Sequence, residues 1–225
     1  MDTLLSIETS GPICSIAVSK GRQLLALEEM QGDRVHGEFV IPLIQSALQS
    51  SGLDIKDMDA IAVSAGPGSF TGLRVGMATA KGLCTALGIP LIVVPTLAAI
   101  ASGMHQLDPG FSNYIPVISA RTGESFTAVY NHQGGEVIEP FTWLWHASDS
   151  NPFDGLSGPH VWGGPGIQEV DTLLPNQQLQ TPMPLSAKWV HLAALEYAQQ
   201  KRFADLITAE PIYIKPVRIT QPKTL

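Results

Sequence analysis

Histidine is the first residue to ask about chemistry, and here its spacing argues against a metal. His36, His105, His132, His146, His160 and His191 never stand at the HxxxH or HExxH spacing that places two imidazoles on one helical face. Metal-assisted chemistry therefore lacks its ligands. No serine sits in a GxSxG elbow, so Ser64 and Ser69 have nothing beyond nearby glycines to suggest a nucleophile. Cys14 and Cys84 lie far apart in apolar surroundings, without a CxxC or a neighbouring histidine, which predicts two buried free thiols rather than a disulfide or a redox pair. Anion binding is what remains. Gly66-Pro67-Gly68-Ser69-Phe70-Thr71-Gly72-Leu73-Arg74 ends an apolar run and opens a helical one, and the N–H groups at a helix N-terminus suit an anion. The segment lacks the lysine of a GxxxxGK loop. It reads either as a tight strand-to-helix turn or as a ligand contact, with Gly66, Gly68, Ser69 and Thr71 as the candidate nucleotide or anion contacts.

The elements that must hold these residues follow from pattern. Residues 4–10, 14–19 and 23–30 read as three antiparallel strands joined at Gly11-Pro12 and Lys20-Gly21. Residues 36–51 carry Phe39, Val40, Leu43, Ile44, Ala47 and Leu48 at helical spacing, with Pro42 expected to kink or offset the helix. A strand at 60–65 leads into a helix at 72–87 that bears only Arg74 and Lys81 as charges, so most of its circumference must face protein. Gly72, Gly76 and Ala80 lie four apart on it, as do Ala78, Gly82 and Ala86. Such rows admit another backbone closely, whether from the same chain or from a partner. A strand at 91–94 and a helix capped by Thr96 complete a mixed-sheet α/β unit. The second half is more broken: strands at 115–119, 126–130 and 137–138, a loop over 140–160, a helix from 167, another at 186–201, and an extended tail at 211–216. Trp143, Trp145, Trp162 and Trp189 form no stacking platform for bases. No repeat in residue identity is present.

With 225 residues, 44% of them apolar, the chain can bury a substantial core as one large domain or two lobes, divided at 1–108 and 109–225. A net charge of -7 repels a polyphosphate backbone, so high-affinity nucleic-acid binding is not expected of it. There is no apolar run long enough for a membrane helix and no signal-peptide pattern at Met1-Asp2-Thr3, which predicts a soluble cytoplasmic protein.

The nine residues from Gly66 to Arg74, followed by a small-residue helix, resemble the signature of the TsaB/YeaZ family and its paralogue TsaD. Leu5-Ser6-Ile7-Glu8-Thr9-Ser10 with Cys14-Ser15-Ile16-Ala17-Val18 is similar to that family's first hairpin, and Gly88-Ile89-Pro90-Leu91-Ile92 to a shared strand. The likeness is dense over 4–104 and thin through Ala120-Arg121 and Pro211-Ile212-Tyr213, where Lys215 stands in place of a frequent arginine and reads as a surface charge. It implies the actin-like, sugar-kinase and Hsp70 (ASKHA) fold: α/β, two lobes, each a mixed sheet with flanking helices.

The same resemblance implies a role. In TsaD relatives two histidines four apart bind the catalytic metal; the matching positions here are Thr96 and Ile100, which cannot do so. Glu8-Thr9-Ser10-Gly11-Pro12-Ile13 is similar to the actin-like phosphate loop, yet Pro12 removes a backbone donor. Gly163-Gly164-Pro165-Gly166 corresponds either to that superfamily's adenosine-side loop or to an ordinary turn. The implied protein is a subunit with no catalytic residues, no metal site and no cofactor of its own, in the complex that makes tRNA threonylcarbamoyladenosine. It would bind and activate a TsaD-like transferase, beside a TsaE-like ATPase, with ATP and a divalent metal held by those partners. Phe39, Leu43, Gly72, Arg74, Gly76, Met77, Ala80 and Leu83 are the interface residues this implies, and a homodimer is expected when the partner is absent. A stand-alone ATPase or small-molecule kinase on the same fold is the alternative, and a peptidase, lacking metal pair and activated nucleophile, a weaker one.

Overall fold

The computed structural model describes residues 2–32, 35–145, 152–170, 173–174, 179–181 and 183–214, so that His146 and Lys215 lie outside the described residues. Its first half runs β1 (Thr3–Glu8), β2 (Ile13–Lys20), β3 (Gln23–Gln31), α1 (Val35–Ser51), β4 (Ala60–Ser64), α2 (Phe70–Leu87), β5 (Leu91–Val94) and α3 (Thr96–Leu107). The second runs β6 (Asn113–Arg121), β7 (Glu124–Asn131), β8 (Glu136–Leu144), β9 (His160–Gly163), α4 (Ile167–Val170), β10 (Leu179–Thr181) and α5 (Ala187–Gln199).

The first sheet has the order β3-β2-β1-β4-β5, antiparallel among its first three strands and parallel from β1 to β5. The second has the order β10-β9-β6-β7-β8, with β6, β7 and β8 antiparallel and β6, β9 and β10 parallel. Read from its antiparallel edge, the second sheet repeats the first: a three-strand meander followed by two parallel strands on the far side of its first strand. The repeat lives in topology and not in residue identity.

Side-chain alternation on the central strand gives the first sheet two greasy faces. Leu5 and Ile7 of β1 look toward α1 and α2 with Ile16, Val18, Ile61 and Val63, while Leu4 joins Ile92, Val94, Leu97 and Ile100 under α3 and α5. Pro42 lies within α1 and is exposed, which places it on the helix's outer side. The α3 and α5 layer also reaches Tyr114, Ile118 and Tyr130 of the second sheet, so one core joins both lobes. The other face of the second sheet closes around Trp162, Trp143 and Phe153, with ring centroids 5.8 Å apart for the two tryptophans and 4.5 Å for Phe153 and Trp162.

Two expectations are corrected here. Residues 140–144 are not loop: β8 continues to Leu144, and Pro140 fits because β8 is an edge strand, where a missing N–H breaks no ladder on the outer side. Nor does a cut at 108 separate the packing. Helix α5 lies on the first sheet, Ala204 bridges to Leu91 of β5, and Ile212 N–H donates to Ala65 O at 2.7 Å. Cys14 and Cys84 are both buried and free, and burial pushes each thiol up to about 11.

Candidate functional site

The ends of β1 and β4 and the start of α2 converge on one point. Ser69 caps α2, its Oγ accepting the Gly72 N–H at 3.3 Å while its own N–H donates to Ser10 O at 2.7 Å. Gly66 is tied to α3: its N–H donates to Thr96 Oγ1 at 3.1 Å and its carbonyl accepts the Thr96 N–H at 2.8 Å. A Cβ on Gly68 would overlap Ser10 O, so glycine is what lets the loop lie against the first hairpin. From the other side, His36 of α1 donates through Nε2 to Gly11 O at 2.8 Å. Across a cleft of about 340 Å³ stand Ile118, Ser119, Phe126, Pro165 and Leu185.

Glu8 sits beneath this cleft, 0% exposed. Its Oε1 accepts the Ser10 N–H at 2.5 Å and the Ser64 hydroxyl at 3.0 Å, while Oε2 and the Ser10 hydroxyl have no hydrogen-bond partner. Burial pushes its carboxyl pKa up, against the lowering by those hydrogen bonds, so the proton is retained well above the usual carboxylate range.

Several of the donors around this site are turned inward. The N–H groups of Thr9, Ser10, Gly66, Ser69 and Gly72 are already engaged within the chain, Pro12 offers none, and the cleft's lining contains no lysine or arginine. Of the expected anion contacts, Gly68 and Ser69 line the cleft, Gly66 is turned to Thr96, and Thr71 is exposed on α2. Gly164 and Gly166 serve packing: a Cβ at either would come 2.6 Å from the β6 backbone, and only Pro165 of that loop lines the cleft. Thr96 Oγ1 holds Gly66 and Ile100 is core, and among the described residues no group of three His, Cys, Asp or Glu side chains could hold a metal ion.

The second surface is the outside of α2. Gly72, Gly76, Met77 and Ala80, expected at an interface, are buried in this chain, as is Leu43 of α1; Phe39 and Leu83 are partly buried against the same core. The reason is steric. Cβ atoms on Gly72 and Gly76 would overlap Thr9 O and Thr9 Oγ1, so the small side of the helix receives the chain's own β1 end. Arg74 alone of the eight is exposed, its guanidinium 4.0 Å over the Phe70 ring and its Nε 3.4 Å from the Tyr213 hydroxyl. The other small row, Ala78, Gly82 and Ala86, faces outward, and a Cβ on Gly82 would meet nothing within 4 Å. Sequence reasoning missed Glu8 as a buried group, although an acid closing an otherwise apolar strand was the signal for it.

Residues 30–142 match the family described as "TsaD: tRNA N6-adenosine threonylcarbamoyltransferase". The chain is 36% identical to the tRNA threonylcarbamoyladenosine biosynthesis protein TsaB of Haemophilus influenzae, over 95% of this chain and 93% of that one. The chain belongs to the TsaB/YeaZ family. Similarity at that level over nearly the whole of both chains carries the assignment beyond the segment shared with TsaD. In structure it is similar to YeaZ from Pseudomonas aeruginosa, with a TM-score of 0.80 at 24% identity over 95% of this chain and 100% of that one. It also resembles component A of the (R)-2-hydroxyglutaryl-CoA dehydratase of Acidaminococcus fermentans, with a TM-score of 0.55 at 12% identity over 89% and 99% of the two chains. Both likenesses speak to the fold alone: TsaB/YeaZ chains share the two-lobed actin-like architecture of mixed sheets described above.

Proposed function

We propose that this chain is the non-catalytic subunit that binds a TsaD-like transferase and holds it in an active arrangement. Its place in tRNA threonylcarbamoyladenosine biosynthesis is that of its family. The finer reading rests on one observation: α2 turns an uncharged row, Ala78, Gly82 and Ala86, to the outside. A helix this smooth lets a partner helix approach closely. On α1 the exposed Ile41 and Pro42 add apolar area to the same lobe. In this reading ATP and a divalent metal belong to the partner subunits, a TsaE-like ATPase is the second partner, and without either the α2 face pairs with its own copy. The complex works in the cytoplasm; among the described residues no helix is long and apolar enough to cross a membrane.

Gly82→Arg tests the reading. The site has open space, so the variant keeps the wild-type unfolding transition while capture of a TsaD-like partner falls by about tenfold or more. Undiminished capture by the folded variant would place the interface elsewhere.

A further inference from the structure

A second concavity lies where the β7–β8 hairpin meets α3 and α5. Its closed end, about 20 Å³, is lined by the small residues Ala98, Ala101 and Ala193 together with His105, Tyr130 and Glu196. That volume suits one water or one compact polar head group. Gly134, Glu196 and Tyr197 line both this end and an open groove of about 290 Å³ that also takes in Glu136, Gln200 and Arg202.

The polar groups at the closed end are matched to a donor. Tyr114 donates its hydroxyl proton to Asp108 O at 3.0 Å, so at 2.9 Å it accepts one from His105 Nδ1. Tyr130 is 1% exposed and its hydroxyl has no hydrogen-bond partner. The Glu196 carboxyl is half-buried; burial raises its pKa, and His105 and Arg22 partly offset this. The hairpin closes over it: a Cβ on Gly134 would come 2.6 Å from Glu196 Oε2. Arg202 is held against the Tyr197 ring at 3.8 Å, and in the groove's lining it faces two acids, Glu136 and Glu196.

We propose that this groove binds a primary aliphatic ammonium group, its head against Glu196 and Tyr130 and its alkyl stem leaving along the groove. An ammonium has three donors and no acceptor, which suits the Glu196 carboxylate and the unpartnered Tyr130 hydroxyl oxygen. A guanidinium is too broad for the closed end, and a neutral alcohol brings no charge to the carboxylate.

The test is titration of the full chain with n-butylammonium chloride at constant ionic strength, followed by NMR shifts of hairpin and α5 amides, with n-butanol and tetramethylammonium chloride as controls. Saturable binding of butylammonium and of neither control is expected. Glu196→Gln should weaken it by about tenfold or more and Tyr130→Phe by about threefold or more. Because Glu196→Gln removes a partly buried charge, the variant should unfold no earlier than wild type, which separates lost binding from lost fold. Absence of saturation in the wild type, equal affinity in Glu196→Gln, or equal binding of butanol would each overturn the proposal.

Discussion

The Thr9 hydroxyl donates to the Gly72 carbonyl at 2.8 Å, and it occupies the space that a Cβ on Gly76, one turn further along α2, would need. A single side chain at the end of β1 thus sets how closely α2 lies on the sheet, and with it which row of small residues faces outward. Gly76→Ala should cost about 1–3 kcal/mol by overpacking against Thr9. Gly82→Ala, in open space on the other side of the same helix, should gain about 0.5–1 kcal/mol from the lost glycine entropy. Chemical denaturation of the two variants checks both signs; a neutral Gly76→Ala would contradict the account of the inner face.

Glu8 gives a pH dependence. Its folded pKa is raised above the unfolded value near 4.5, so as pH climbs from there the unfolded chain releases a proton that the folded chain still holds. The contribution to stability is complete below that value and is lost as pH rises through the window up to the folded pKa. Asp59 has the opposite sign: the N–H groups of Thr3 and Asp2 lower its pKa, and its contribution is lost as pH falls. Glu8→Gln keeps an acceptor for Ser10 and Ser64 and deletes the first slope alone. The variant should match wild type near pH 4 and exceed it increasingly toward neutrality, read from thermal unfolding across that range. A variant less stable than wild type at neutral pH would show that the Glu8 charge is wanted in the fold.

Glu29 ties the second half of the chain to the first. Its Oε1 accepts from Ser15 Oγ at 2.8 Å and from Ser186 Oγ, the N-cap of α5, at 2.6 Å, and Ser15 Oγ accepts the Ala187 N–H at 2.8 Å. Removing the carboxylate leaves two hydroxyls without their acceptor and frees the serines whose oxygens take the Ala187 and Lys188 N–H groups at the helix start. Glu29→Ala should cost about 1–3 kcal/mol, and Glu29→Gln less, measured by the shift of the unfolding midpoint together with faster amide exchange in the first turn of α5. Unchanged exchange there would mean that α5 is held by its apolar face alone.

Much of the first lobe was legible because its rules are local. The alternation of β1 and β2, the cap at Ser69 and the helical spacing of Val40, Leu43, Ile44 and Ala47 each announce an element without reference to distant residues. What escaped depends on contacts far apart in sequence. Two rows of small residues on α2 look alike on paper, and Thr9, more than sixty positions away, decides which is core. The helix at α5 was readable from its amphipathic pattern, but the sheet it covers was not. The second lobe's repetition of the first is carried by strand order, and its β8 was hidden by Pro140 and by aromatics that find partners only when Phe153 and Trp162 fold against them. For the cleft, glycines and serines correctly marked the loop, yet whether their N–H groups remained free for an anion is set by Ser10, Ser64 and Thr96, none of which the spacing of the motif reveals.

Reconstituted threonylcarbamoyl transfer to tRNA by a TsaD-like partner and TsaE-like ATPase from the same organism, with this chain added as wild type, as Gly82→Arg, or omitted, tests the central claim most directly. Transfer that requires the wild-type chain, fails with the folded Gly82→Arg variant and is absent with the chain alone is the predicted result. Transfer that proceeds undiminished without this chain, or that the chain performs by itself, would contradict its place as the activating, non-catalytic subunit.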